Sequence, residues 1–188
     1  MGFAIINFKH KQMFGGNDGM RFLHTGDWHI GKNLAGYNLL ADQHATFQEI
    51  RKIAQDKQVD AVVIAGDLYD RTIPGEAAIQ ELTKELATLN IKEHLPVLAI
   101  SGNHDSATRL GIGHQWFVNN DFYLNTNFSD AFHPISIQNT QFFLLPFFGL
   151  QEVRNYFADD HIQNINTAMQ KIVTKMKESF DPQSQHVL

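Results

Sequence analysis

Three observations predict an α/β fold. From Met20 onward, short apolar runs alternate with amphipathic stretches, the pattern of strands joined by helical crossovers. Each of the first three apolar runs is followed at once by a small polar cluster: Asp27-Trp28-His29, Gly66-Asp67 and Gly102-Asn103-His104-Asp105. After residue 120 the pattern turns to extended pieces that suit a hairpin or a second sheet.

Residues 1–19 end in the turn-rich Gly15-Gly16-Asn17-Asp18-Gly19 and read as a leader or vector-derived extension, with Met20 as the natural start. Residues 21–25 are the first strand. Residues 42–57 place Phe47, Ile50 and Ala54 on one face of a helix. The β-branched run 59–65 reads as a buried strand. Pro74 suits the first turn of a second helix, whose stripe is Ile79, Leu82, Leu86 and Leu89. Residues 96–101 are a third strand, and 132–138 and 141–147 are the extended pieces. A last helix carries Ile165, Met169, Ile172 and Met176 on one stripe and ends before Asp181-Pro182. His186-Val187-Leu188 begins another strand, so 20–188 reads as one domain that stops as an element starts.

Length supports this, since 188 residues match one ordinary domain with a substantial core. The chain is 43% hydrophobic and 19% charged, which is the composition of a globular protein. With no cysteine, disulfides and thiolate metal sites are excluded, and a cytoplasmic setting fits. No apolar run approaches the roughly 18 residues of a membrane span, and the opening apolar stretch precedes Lys9 and Lys11 instead of following them, unlike a signal peptide. A net charge of −5 argues against a whole-surface grip on a polyanion. If DNA is the substrate, local charge, divalent cations or a partner protein must hold it.

Ligands bind at the carboxyl ends of strands in open α/β sheets, so the three polar clusters should converge. An Asp and a His two residues apart offer one cation an oxygen and an imidazole nitrogen. Asp67, with two oxygens, is suited to bridge two cations, and Asn103 adds a neutral oxygen. His104 is then free to act on substrate. Glycines 66 and 102 let the backbone turn tightly beside such ions. Taken singly, each cluster has a commonplace explanation: a turn with a cap, a helix cap, an Asx turn. All three in order, each at a strand end, point to a metal centre.

His10, His94, His133 and His161 lie in loop or exposed contexts and read as surface residues. The Phe142-Phe143-Leu144-Leu145 and Phe147-Phe148 runs read as core instead of a base-stacking platform.

Read as Asp27-x-His29, Gly66-Asp67-x-x-Asp70-Arg71 and Gly102-Asn103-His104-Asp105, the clusters resemble the calcineurin-like metallophosphoesterase superfamily. The stretch 28–43, Asp67-Leu68-Tyr69-Asp70-Arg71, and the segment 101–110 with its Ser106-Ala107-Thr108-Arg109-Leu110 ending are similar to its SbcD branch. The resemblance covers residues 20–188. It implies a four-layer sandwich, two mixed sheets flanked by helices, holding two manganese ions. Asp27 and His29 would hold the first ion, Asp67 would bridge and Asn103 would hold the second. His104 would steady the transition state, with Asp70 orienting it and Arg71 meeting a phosphate. The family pattern has two further His-bearing motifs that these 188 residues do not include, which leaves the second ion poorly held and predicts low activity for this chain.

The function implied is that of a manganese-dependent DNA exonuclease and endonuclease subunit in repair, recombination and replication. It would work in the cytoplasm with an SbcC-like ATPase of the SMC family, with a homodimer as a further assembly. Two other readings stand beside it: a phosphoesterase of the same superfamily acting on a phosphoprotein or nucleotide, and an inactive fragment that keeps only a partner surface.

Overall fold

The computed structural model describes residues 2–7 and 19–188, so His10 lies outside the described residues. In chain order the strands are β1 (Gly2–Asn7), β2 (Arg21–Gly26), β3 (Asn33–Leu34) and β4 (Tyr37–Asn38), followed by helix α1 (Leu40–Asp56). Next come β5 (Ala61–Ala65), α2 (Glu76–Ala87), β6 (Val97–Ile100), the short helices α3 (Ala107–Leu110) and α4 (His114–Phe117), and β7 (Phe122–Asn125). The chain continues with β8 (Ile135–Ile137), β9 (Thr140–Phe142), α5 (Leu150–Phe157), α6 (Ile165–Lys177) and β10 (Gln185–Val187).

Among the described residues two mixed sheets result, beside the small antiparallel pair of β3 and β4. The larger has the order β1-β2-β5-β6-β7, with β1 antiparallel to β2 and the other neighbours parallel. The smaller has the order β10-β9-β8, with β9 parallel to β10 and antiparallel to β8. The central strands β5 and β6 are apolar along their whole length because both faces are covered.

Alternation along the strands divides the core into three slabs. Leu23, Val62, Ile64, Val97 and Ala99 face α1 and α2, where Phe47, Ile50, Ala54, Ala78 and Leu82 complete one cluster. Their neighbours Phe22, Ala61 and Leu98 face the other way and meet Phe142 of the smaller sheet and Leu144 just beyond it. Phe142 packs edge-on to Phe22 across that slab, at 5.3 Å between centroids. Phe143, one residue on, turns to the third cluster with Val153 of α5 and Ala168, Ile172 and Met176 of α6. Three slabs between four layers give helix, sheet, sheet, helix.

Two helical stripes differ by one residue from the sequence pattern. Ala78 is buried and Ile79 is 44% exposed, because the buried face of α2 runs Ala78, Leu82, Glu85. Ile79, about 100° further round the helix, points to water. Likewise Ala168 takes the inward place and Ile165 is exposed. Among the described residues, no helix is long and apolar enough to cross a membrane.

Candidate metal centre

The ends of β2, β5 and β6 lie side by side, and the loops that follow them continue the pairing by other means. The Asp27 N–H donates to the Gly66 carbonyl at 3.2 Å, His29 N–H to Asp67 O at 2.8 Å, and Ile30 N–H to Leu68 O at 2.9 Å. Trp28 turns inward between Asp27 and His29: it is buried, packs on Phe47 at 4.7 Å and donates its indole N–H to Thr25 Oγ1 at 3.0 Å. That inward turn leaves its two polar neighbours on the open side. Asp27, His29 and Asp67 all adopt left-handed backbone, with φ of 54°, 45° and 51°. Such conformations are uncommon for residues with a side chain and concentrate at functional sites.

The loop after β6 closes on the loop after β5 with no room for a methyl group. A Cβ on Gly102 would lie 2.1 Å from Asp67 Oδ1. His104 N–H donates to that same Oδ1 at 2.9 Å, so the other oxygen of Asp67 is turned toward His29. Asp105, buried behind the loops, accepts three main-chain N–H groups: Leu68 at 3.1 Å, Tyr69 at 2.9 Å and Gly102 at 2.9 Å. The Tyr69 phenol is pushed up to about 12 by burial, with the negative charge of Asp105 adding to it, so it stays protonated at neutral pH.

His29 Nε2 stands 4.0 Å from Asp27 Oδ1 and 3.7 Å from Asp67 Oδ2. One ligand atom from each of Asp27, His29 and Asp67 lies within 4.8 Å of the others. Atoms bound at about 2.1 Å to one ion sit roughly 3–4 Å apart, so this spacing suits a shared divalent cation. The far side of the imidazole supports that fit. His29 Nδ1 is buried without a hydrogen-bond partner and faces Asp70 Oδ1 at 3.5 Å. A carboxylate behind one ring nitrogen favours the proton there and leaves the other nitrogen as a ligand.

The sequence-predicted residues therefore divide. Asp27, His29 and Asp67 form one group, and His29, Asp70 and His104 form a second that shares the histidine. The His104 and His29 rings meet edge to face at 4.7 Å. His104 Nδ1 lies 3.0 Å from the main-chain carbonyl of Asp70, whereas the Asp70 carboxylate faces His29. Asn103 is exposed beside His104. Arg71 lies at the margin, 64% exposed, its Nε 3.8 Å from Asp70 Oδ2. His186, whose ring stacks on Phe180 at 3.8 Å, belongs to the smaller sheet. His94, His133 and His161 are exposed, as their sequence context suggests.

Sequence reasoning missed two supporting residues. Asp105 lies inside the third motif, where its residue type alone suggests no role. Gln43 lies buried on the α1 face shared by Phe47, Ile50 and Ala54, and a polar residue in an apolar stripe was the signal available. A third group of ligand type, His44 with Glu81 and Glu85, lies between α1 and α2, but Arg51 and Lys84 already pair with its carboxylates.

A profile of the family described as calcineurin-like phosphoesterase matches residues 20–181. The SbcD component of the SbcCD nuclease from Staphylococcus epidermidis is 40% identical over 169 residues, which is 90% of this chain and 45% of that protein. The chain thus spans about half the length of this relative. Members of the family bind divalent metal, which the cluster of Asp27, His29 and Asp67 suits. With the profile matching most of its length and the three strand-end loops meeting as described, the chain belongs to the calcineurin-like phosphoesterase family.

Proposed function

We propose that this chain is the catalytic part of a metal-dependent DNA nuclease of the SbcD type, hydrolysing phosphodiesters at DNA ends or hairpins in repair, recombination and replication. The observation that carries the reading is the 40% identity to a nuclease component over nine-tenths of this chain. The partners it implies are DNA and an SbcC-like ATPase of the SMC family, with a homodimer as a further assembly and the cytoplasm as the setting.

Asp27, His29, Asp67 and Asn103 are the proposed ligands of two divalent ions, with manganese as the natural pair. Bound there, the ions would supply Lewis-acid activation and charge neutralisation for in-line displacement at phosphorus. The residues do the rest. Asp67 spans the loops after β5 and β6, one oxygen on the His104 amide and the other toward His29. His104 is exposed, and its Nδ1 is anchored on the Asp70 carbonyl. That leaves Nε2 to face substrate, where it would stabilise developing charge or protonate the leaving oxygen. The Asp70 carboxylate orients His29, and its carbonyl orients His104. Arg71 extends from the same loop and offers a guanidinium to a substrate phosphate.

The test sets duplex DNA ends and hairpins against a chromogenic phosphate monoester, each with manganese and with a chelator. Low but manganese-dependent DNA cleavage that Asp67→Asn abolishes is expected. Monoester hydrolysis without DNA cleavage would favour a phosphatase of the same family acting on a phosphoprotein or nucleotide. No hydrolysis of either substrate would leave a fragment that keeps a partner surface.

A further inference from the structure

The loop from Trp28 to Gly31 carries His29 at φ 45° and Gly31 at φ 86°, two left-handed residues separated by one. Three of its main-chain polar groups end on one side chain. Gln43 Nε2 donates to the Trp28 carbonyl at 3.0 Å and to the His29 carbonyl at 2.7 Å, while its Oε1 accepts the Gly31 N–H at 3.1 Å. A side-chain amide has two donors and an acceptor in one plane, so a single residue can satisfy all three. Gln43 is only 9% exposed, and burying an amide is costly unless its hydrogen bonds are made.

The helix that presents Gln43 is itself fixed. The adjacent His44 reaches Glu81 at 2.6 Å and Glu85 at 3.2 Å through Nδ1, and Arg51, two turns further along α1, pairs with Glu85. Helix α2 also closes on the loop, since a Cβ on Gly31 would stand 2.8 Å from the Ala78 methyl carbon. The loop is thus held by Gln43 of α1 from Trp28 to Gly31 and by Ala78 of α2 at Gly31.

We propose that Gln43 is a positioning residue for the metal centre: by tying down the His29 main chain it presents Nε2 toward Asp27 and Asp67. The proposal rests on the metal reading given above. Residues that orient a ligand without touching the ion typically contribute about 10–100-fold to metal affinity.

Gln43→Met keeps the length of the side chain and removes its hydrogen bonds. Gln141 supplies a matched control in the smaller sheet, where it is 8% exposed and joins the Ser179 carbonyl to the Asp181 N–H. Two measurements on the 188-residue chain decide the matter. In metal-free protein, hydrogen exchange is followed at the His29 and Ile30 amides, which donate to Asp67 and Leu68. Gln43→Met should speed these relative to the β5 amides, and Gln141→Met should not. In a calorimetric manganese titration, Gln43→Met should weaken binding about 10–100-fold while Gln141→Met stays near wild type. Wild-type affinity and local exchange in Gln43→Met would overturn the proposal and leave the metal reading standing. A wild-type chain that binds no manganese would overturn both. Should Gln43→Met fail to fold, Gln43→Glu keeps the Gly31 acceptor, loses both donors and carries the same expectations.

Discussion

His29 and Asp67 are joined twice. The His29 N–H donates to the Asp67 carbonyl at 2.8 Å, and its Nε2 faces Asp67 Oδ2 at 3.7 Å. The main-chain bond sets the register between the loops after β2 and β5, and that register brings the side chains together. Asp67→Asn preserves an oxygen for the His104 amide but removes the negative charge shared with His29. The expected result is loss of divalent binding with little change in the fold, read by manganese calorimetry beside circular dichroism.

Gly102 allows no side chain. A methyl group there would lie 2.1 Å from Asp67 Oδ1 and 2.3 Å from its amide nitrogen. Neither atom can retreat freely, because Oδ1 already accepts the His104 N–H. Gly102→Ala should therefore displace Asp67 as well as strain the loop, at a cost of about 1–3 kcal/mol from overpacking. Urea unfolding gives the stability change, and the same manganese titration should show affinity falling with it. Unaltered affinity would mean that Asp67 does not need this loop to hold its place.

What the sequence makes legible here depends on how many residues share a signal. Strands β5 and β6 are readable because continuous apolar runs mark strands buried on both faces, and the polar residues at the ends of β2, β5 and β6 are readable as a converging set. Helix α5 buries a single residue, Val153, so it leaves no period to detect. Within the site, residue types can be read but not pairings. That the Asp70 carboxylate backs His29, while its carbonyl holds His104, depends on a loop conformation that no spacing encodes.

The ion network between α1 and α2 should appear in the acid limb of stability. Burial alone would raise the Glu81 carboxyl. The hydrogen bond with His44, the charges of Lys84 and His44 and the hydrogen bond with Glu85 outweigh it and hold Glu81 below its ordinary 4.5. A carboxyl lowered in the folded state contributes stability that is present above 4.5 and is lost as pH falls through the folded value. Glu93 opposes this, since burial raises it against the pull of Arg51, with Glu85 adding to the rise. In thermal melts from neutral pH to below 4.5, Glu81→Gln should start lower than wild type and lose less on acidification. Parallel acid limbs would show that Glu81 carries no such linkage.

Asp105 holds the site together without reaching its open face. One oxygen accepts the Leu68 and Gly102 amides and the other accepts Tyr69, so this carboxylate ties the loop carrying Asp67 and Asp70 to the loop carrying Asn103 and His104. Asp105→Ala would leave three amides without acceptors, and each buried unsatisfied donor costs about 1–3 kcal/mol. A loss of ~3 kcal/mol or more is expected, which for a domain of this size lowers Tm by about 6–12 °C. Asp105→Asn can keep its one oxygen where Leu68 and Gly102 both donate, sacrificing only the Tyr69 bond, and should recover most of that loss. If the two variants melt together well below wild type, the negative charge itself holds the loops. If both melt with wild type, the loops are held by the zipper from Asp27 to Ile30 and by glycine packing alone.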